Sequence, residues 1–205
     1  MLAALLALPP VTQFMLTLNV VVGAYTLLAN PALIDRWSFK PFRVATEKEY
    51  SRWLTAGFVH VGFAHLLFNM VTLFYFGPYV EAAIGSGRFL IVYLGSELAA
   101  NGLTYLKYRA RPEYSAVGAS GAISGVLFAF CLFEPFAMLG IMFIIPMPAI
   151  LFAVLYVGLS IYASKREVGR IAHEAHLGGA LGGLALTILL YPAVIGIFLR
   201  QLGLG

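Results

Sequence analysis

The chain has 205 residues, of which 61% are hydrophobic and 11% charged, well below the roughly 25% charged of an ordinary soluble domain. That balance places it in a membrane, and a formal charge of +4 with no basic run interleaved with aromatics makes nucleic acid an unsuitable partner. Cys131 is the single cysteine, which excludes an internal disulfide and a cysteine metal cluster.

The opening MLAALLALPP lacks the basic start of a secretory signal and runs on into apolar sequence, so it is expected to belong to the mature protein. Charges are absent before Asp35, between Arg52 and Glu81, between Glu113 and Glu134, and between Glu134 and Lys165. Each gap has room for a spanning helix of about 20 apolar residues. Apolar stretches predict spans near 12–29, 63–81, 89–106, 117–134, 146–164 and 175–199. The expectation is therefore an all-α membrane protein, a six-helix bundle forming one domain over residues 1–205. These runs lack the alternation of barrel strands.

Between the first two spans, residues 30–62 mix Trp37, Phe39, Phe42, Tyr50 and Trp53 with Arg36, Lys40, Arg43, Lys48 and Arg52. That mixture suits a membrane interface and contact with lipid. The apolar link at residues 136–148, punctuated by Pro146 and Pro148, reads as a half-embedded loop.

Six spans of alternating direction start the second, fourth and sixth on one side. Their first turns carry His65 and Asn69, then Ser120, then His176. Polar groups are expensive in lipid, so their convergence from three segments onto one layer marks a functional site. Acyl transfer needs a nucleophile, a base and donors for the oxyanion. Ser120 lies in Gly118-Ala119-Ser120-Gly121, and His176 can exchange a proton near neutral pH. Gly121 and Gly125 on the fourth span, and Gly179 and Gly183 on the sixth, permit close helix contact that would bring the serine to the histidine. His65 and Asn69 are i and i+4, project from one helix face and supply donors.

Taken alone, a serine in such a glycine-rich stretch is more often a packing residue. His60 is expected to be structural, being off the face of His65. His173, one turn before His176, is a rival base, but its neighbours Arg170 and Glu174 favour a solvated loop. Glu81, between two glycines, reads as a hydrogen-bond hub, and Glu97 receives no role. The pair His173 and His176 is spaced i, i+3 rather than the i, i+4 of a zinc-protease helix, so no metal is expected.

These motifs together resemble the rhomboid intramembrane serine proteases over nearly the whole chain. The match includes Gly118 to Gly121 around the serine, and Ala175-His176-Leu177-Gly178-Gly179 with Gly183. His65 and Asn69 fit HxxxN; Gly77, Glu81 and Gly85 fit GxxxExxxG; Arg52 is similar to the arginine of the first-loop motif. The resemblance implies a catalytic dyad of Ser120 and His176, an oxyanion hole of His65, Asn69 and the Ser120 N–H, no cofactor, and transmembrane proteins as substrates. It also implies a multi-pass location in the cell membrane with the site facing outward. Charge counting opposes that orientation, since eleven of the 13 basic residues lie on the site's side. One departure stands out: the family often places an aromatic residue four positions after the nucleophile, packed on the base, and here that position is Ser124. An inactive relative that binds membrane clients and a small transporter are the rival readings. The first would normally have lost Ser120 or His176, and the second would show an internal repeat, which is absent.

Overall fold

A computed structural model describes residues 7–141, 145–166 and 172–205, and the elements follow the apolar pattern closely. Helix α1 (Pro10–Leu28) starts on a proline, whose fixed φ and missing N–H suit a first helical position. Three short helices follow, α2 (Ala32–Trp37), α3 (Pro41–Glu47) and α4 (Arg52–Thr55), then a 3-10 turn over Ala56–Phe58. The long helices are α5 (Phe63–Ile84), α6 (Ser86–Tyr108), α7 (Ser120–Phe133), α8 (Ala149–Arg166) and α9 (His173–Leu190), and α10 (Ala193–Gln201) closes the order. Between α7 and α8, strands β1 (Met138–Ile141) and β2 (Ile145–Pro148) pair antiparallel, Met138 opposite Pro148 and Ile141 opposite Ile145.

Helices α1, α5, α6 and α8 are long and apolar enough to cross a membrane, and α9 with α10 joins them if that bent pair counts as one span. Large apolar side chains face outward from them, among them Val21, Leu28, Leu67, Tyr75, Val154, Leu159 and Leu189. The molecule is a multi-pass, all-α membrane bundle carrying, among the described residues, one short pair of strands. Its core is apolar too, with Leu73, Val80, Phe89, Val92, Val126 and Val194 fully buried.

Lipid removes the hydrophobic force between helices, so close packing must hold them. Small residues supply it where α6, α7 and α9 meet. A Cβ on Gly125 would overlap Ser96, one on Gly182 would overlap Ala99, and one on Gly179 or Gly183 would overlap the backbone of Gly121 or Gly125. By contrast α8 buries just Ala149 and Ser160 among its described residues.

Three expectations need correction. The sixth span is not one helix over 175–199: it breaks at Tyr191-Pro192 and turns by 110° into α10, because proline cannot continue the hydrogen-bond ladder. The fourth span begins at Ser120 rather than 117, since Gly118 has φ +114, which helix does not allow. The 136–148 link is not a loop throughout, because strand pairing satisfies the backbone on either side of residues 142–144.

Candidate active site

The first turn of α7 is held from three sides, which fixes Ser120. Gly118 donates its N–H to the Ala56 carbonyl at 2.9 Å, and Ala116 exchanges two backbone hydrogen bonds with Phe39. The long first loop is thereby tied to the strand-like approach to the serine. A Cβ at Gly118 would overlap the His65 ring, so this glycine is needed both for its positive φ and for space. On the other side, Glu97 of α6 accepts the Ala122 N–H at 3.2 Å. Ser120 is the first residue of α7, where N–H groups have no intrahelical acceptor. Glu97, given no role from sequence, is thus a carboxylate capping a neighbouring helix.

The α9 turn is fixed just as firmly. Glu174 is 4% exposed; it accepts a hydrogen bond from Tyr114 and lies 3.7 Å from the Lys107 ammonium. His176 then meets Ser120, with Nε2 and Oγ 2.9 Å apart, an ordinary hydrogen bond. His173 is the first residue of α9 rather than part of a solvated loop. Its ring stands edge-on to His176 at 6.5 Å between centroids, while the serine bond goes to His176. Arg170 lies outside the described residues.

Ser120, His176, His65 and Asn69 line one cavity of about 800 Å³. The His65 Nδ1 and Asn69 Nδ2 are buried without hydrogen-bond partners, although buried polar atoms are nearly always paired. Both residues also line the cavity beside the serine–histidine pair, where a donor can receive developing negative charge. Tyr108, Arg111, Glu113, Tyr114 and Ser115 also line it. The polar cluster between Lys107 and Ser115 was the available sequence signal for them. His60 is fully buried behind the site, edge-to-face with His65 at 5.1 Å.

The remaining motif residues lie away from the cavity. Arg52 is 3% exposed and donates to the Ser38 carbonyl at 2.7 Å and to Glu49, so it organises the first loop. Glu81 accepts from the Val11 and Thr12 N–H groups at 2.9 and 2.6 Å, and from the Thr12 and Ser86 hydroxyls at 2.7 and 2.6 Å. It is a hub, as its place in the sequence implies, and its partners include the N-terminus of α1, where a carboxylate is favoured by the helix dipole. Gly77 packs against Thr12, and Gly85 turns the chain into α6 with φ +83. Gly121, Gly179 and Gly183 make the α7–α9 contact already described.

At Ser124, the hydroxyl lies 2.6 Å from the Tyr156 hydroxyl of α8. The Tyr156 ring lies beside His176 in an offset, near-parallel arrangement, 6.3 Å between centroids and 23° from parallel. Nothing in the spacing of the sequence pointed to Tyr156.

With this geometry in hand, comparison with known proteins is specific. A profile of the Rhomboid domain matches residues 47–193. The YdcA protein of Bacillus subtilis is 37% identical over 119 residues, 57% of this chain and 59% of that protein. Rhomboid protease GluP of Bacillus subtilis is 28% identical over 173 residues, 84% of this chain and 32% of its own length. The human presenilin-associated rhomboid-like protein, mitochondrial, is 33% identical over 141 residues, 65% of this chain and 36% of its own. The chain thus spans between about a third and three-fifths of these relatives.

Proposed function

The chain belongs to the rhomboid family, and on that premise we propose that it is a serine endopeptidase cutting transmembrane segments within the membrane. The observation that carries this reading is the 2.9 Å contact of Ser120 Oγ with His176 Nε2, set in a cavity that His65 and Asn69 also line. Ser120 Oγ attacks the scissile carbonyl carbon as His176 Nε2 takes its proton. The oxyanion is held by His65, Asn69 and the Ser120 N–H. His176 then protonates the leaving amine, the C–N bond breaks and an acyl-serine remains. Water, deprotonated by His176, hydrolyses that ester and returns the proton to Ser120.

A peptide bond inside a helix has its carbonyl shielded, so the substrate must unwind locally to reach Ser120. Segments with Gly or Pro near the cut, where helix propensity is low, are the preferred class. Residues 1–205 act as one membrane domain in this reading, placed in the cell membrane with the cavity outward, without cofactor.

The test is labelling of purified protein by a fluorophosphonate. Covalent modification at Ser120, absent from Ser120→Ala, supports the reading; an unmodified native Ser120 overturns it.

A further inference from the structure

We propose that Tyr156 on α8 is the positioning residue for the base His176, held in place by Ser124 of α7. The inference rests on the proposed protease reading and adds to it the group that orients the imidazole. A histidine ring turns about a broad, roughly two-fold torsion. A base must nevertheless present Nε2 to Ser120 along one direction, so its face needs a wall.

Tyr156 provides that wall. Its ring lies 23° from parallel to the imidazole at 6.3 Å between centroids, within the 4.5–7 Å range in which rings attract when offset. The other described neighbours bound the ring from different sides: His173 meets it edge-on, and Ser120 takes Nε2.

Tyr156 is itself fixed. Its hydroxyl meets Ser124 Oγ at 2.6 Å, and its ring packs against Phe152 and Phe128, each at 5.4 Å. An unpaired buried hydroxyl is unfavourable, so the Ser124 bond adds to the ring packing that seats Tyr156. Ser124 is four residues after Ser120 and shares its helix face. Its side chain is a small hydroxyl rather than a ring, and the ring near-parallel to the imidazole comes from the neighbouring helix instead. Two residues on two helices thereby do what one aromatic at position 124 would do from α7 alone.

Tyr156 does not line the 800 Å³ cavity. Its loss is therefore expected to act on turnover rather than on binding. Displacing a catalytic group by about 1 Å lowers rate on the order of a hundredfold.

The experiment measures kcat and KM on a transmembrane reporter in proteoliposomes, with fluorophosphonate labelling of Ser120 alongside. Tyr156→Leu is expected to lower kcat about ten- to hundredfold with KM unchanged. Tyr156→Phe, which keeps the ring, should stay within about fivefold of native on the same scale. Ser124→Tyr added to Tyr156→Leu should restore most of the loss, because it returns a ring to the imidazole face from α7. A native kcat in Tyr156→Leu overturns the inference while labelling of native Ser120 leaves the protease reading standing. A loss in Tyr156→Leu that neither Phe nor the relocated ring recovers also overturns it, showing a merely structural role for α8. Native protein that is not labelled at Ser120 overturns both.

Discussion

Gly179 on α9 lies against the carbonyl of Gly121 on α7 so closely that a Cβ would overlap it. One of these glycines follows Ser120 directly and the other is three residues beyond His176, so helix separation and the serine–histidine distance are one quantity. Gly179→Ala must push the helices apart, at a cost of about 1–3 kcal/mol for overpacking. It is expected to lower the melting temperature in detergent and to slow Ser120 labelling about tenfold or more. Gly87→Ala, with nothing within 4 Å of the added methyl, should change neither. Native labelling in Gly179→Ala would separate packing from the dyad.

Ser120→Ala and His176→Ala should each abolish cleavage while leaving the fold intact, because either removes one participant of the same proton transfer. Asn69→Ala should retain some activity. Loss of one oxyanion donor costs about a hundred- to thousandfold in rate, and His65 and the Ser120 N–H remain. The check is cleavage of a reporter by reconstituted protein; an unchanged rate in Asn69→Ala removes it from the oxyanion hole.

Glu81→Gln puts an amide where four donors converge on a carboxylate. Hydrogen bonds to a charged group contribute about 1.5–3 kcal/mol each, so a clear fall in melting temperature is expected. Glu81 and His65 are sixteen residues apart on α5, about 24 Å along the axis. The labelling rate per folded molecule should therefore hold. A large drop in that rate at full stability would tie Glu81 to the chemistry.

His60 precedes α5, outside the spanning helices, and burial pushes its imidazole down to about 4, with His65 adding to the effect. In an unfolded chain a histidine titrates near 6.5. Between these values the unfolded state binds the proton and the native state does not. The stability His60 contributes is thus complete above about pH 6.5 and is lost as pH falls towards about 4. Melting temperature should decline from pH 7 to pH 4.5 in native protein and decline less in His60→Gln. Equal slopes would place the acid sensitivity elsewhere.

The outward orientation is checked with single cysteines in a Cys131→Ala background, labelled on intact cells by an impermeant maleimide. Ala45→Cys should react and Gly87→Cys should not. The reverse pattern would show that the basic residues around the first loop, rather than the family resemblance, set the topology.

Helix positions were legible because lipid demands long apolar runs, and α1, α5, α7 and α8 fall within a few residues of the charge-free gaps. The gathering of Ser120, His176, His65 and Asn69 around one cavity was legible because alternating spans bring their first turns together. Pro192 and Gly118 overrode apolar continuity through backbone geometry, which hydropathy does not report. Glu97 and Tyr156 were hidden for a different reason. Their roles depend on what faces them across helices, Ala122 in one case and His176 and Ser124 in the other, and spacing within one helix carries no such information.

Helix α7 has 14 residues and is therefore about 21 Å long, whereas the hydrocarbon layer is about 30 Å thick. A helix of that length anchored at one face stops roughly 9 Å short of the other. Ser120 is the first residue of α7, and the cavity it lines is also lined by Arg111, Glu113 and Ser115 of the polar stretch before it. In the proposed protease reading the reaction centre is the floor of that cavity, at a depth set by the length of α7. Where a substrate is cut then follows from how deep each of its peptide bonds rides, so a thicker or thinner bilayer should shift the cut along the same segment.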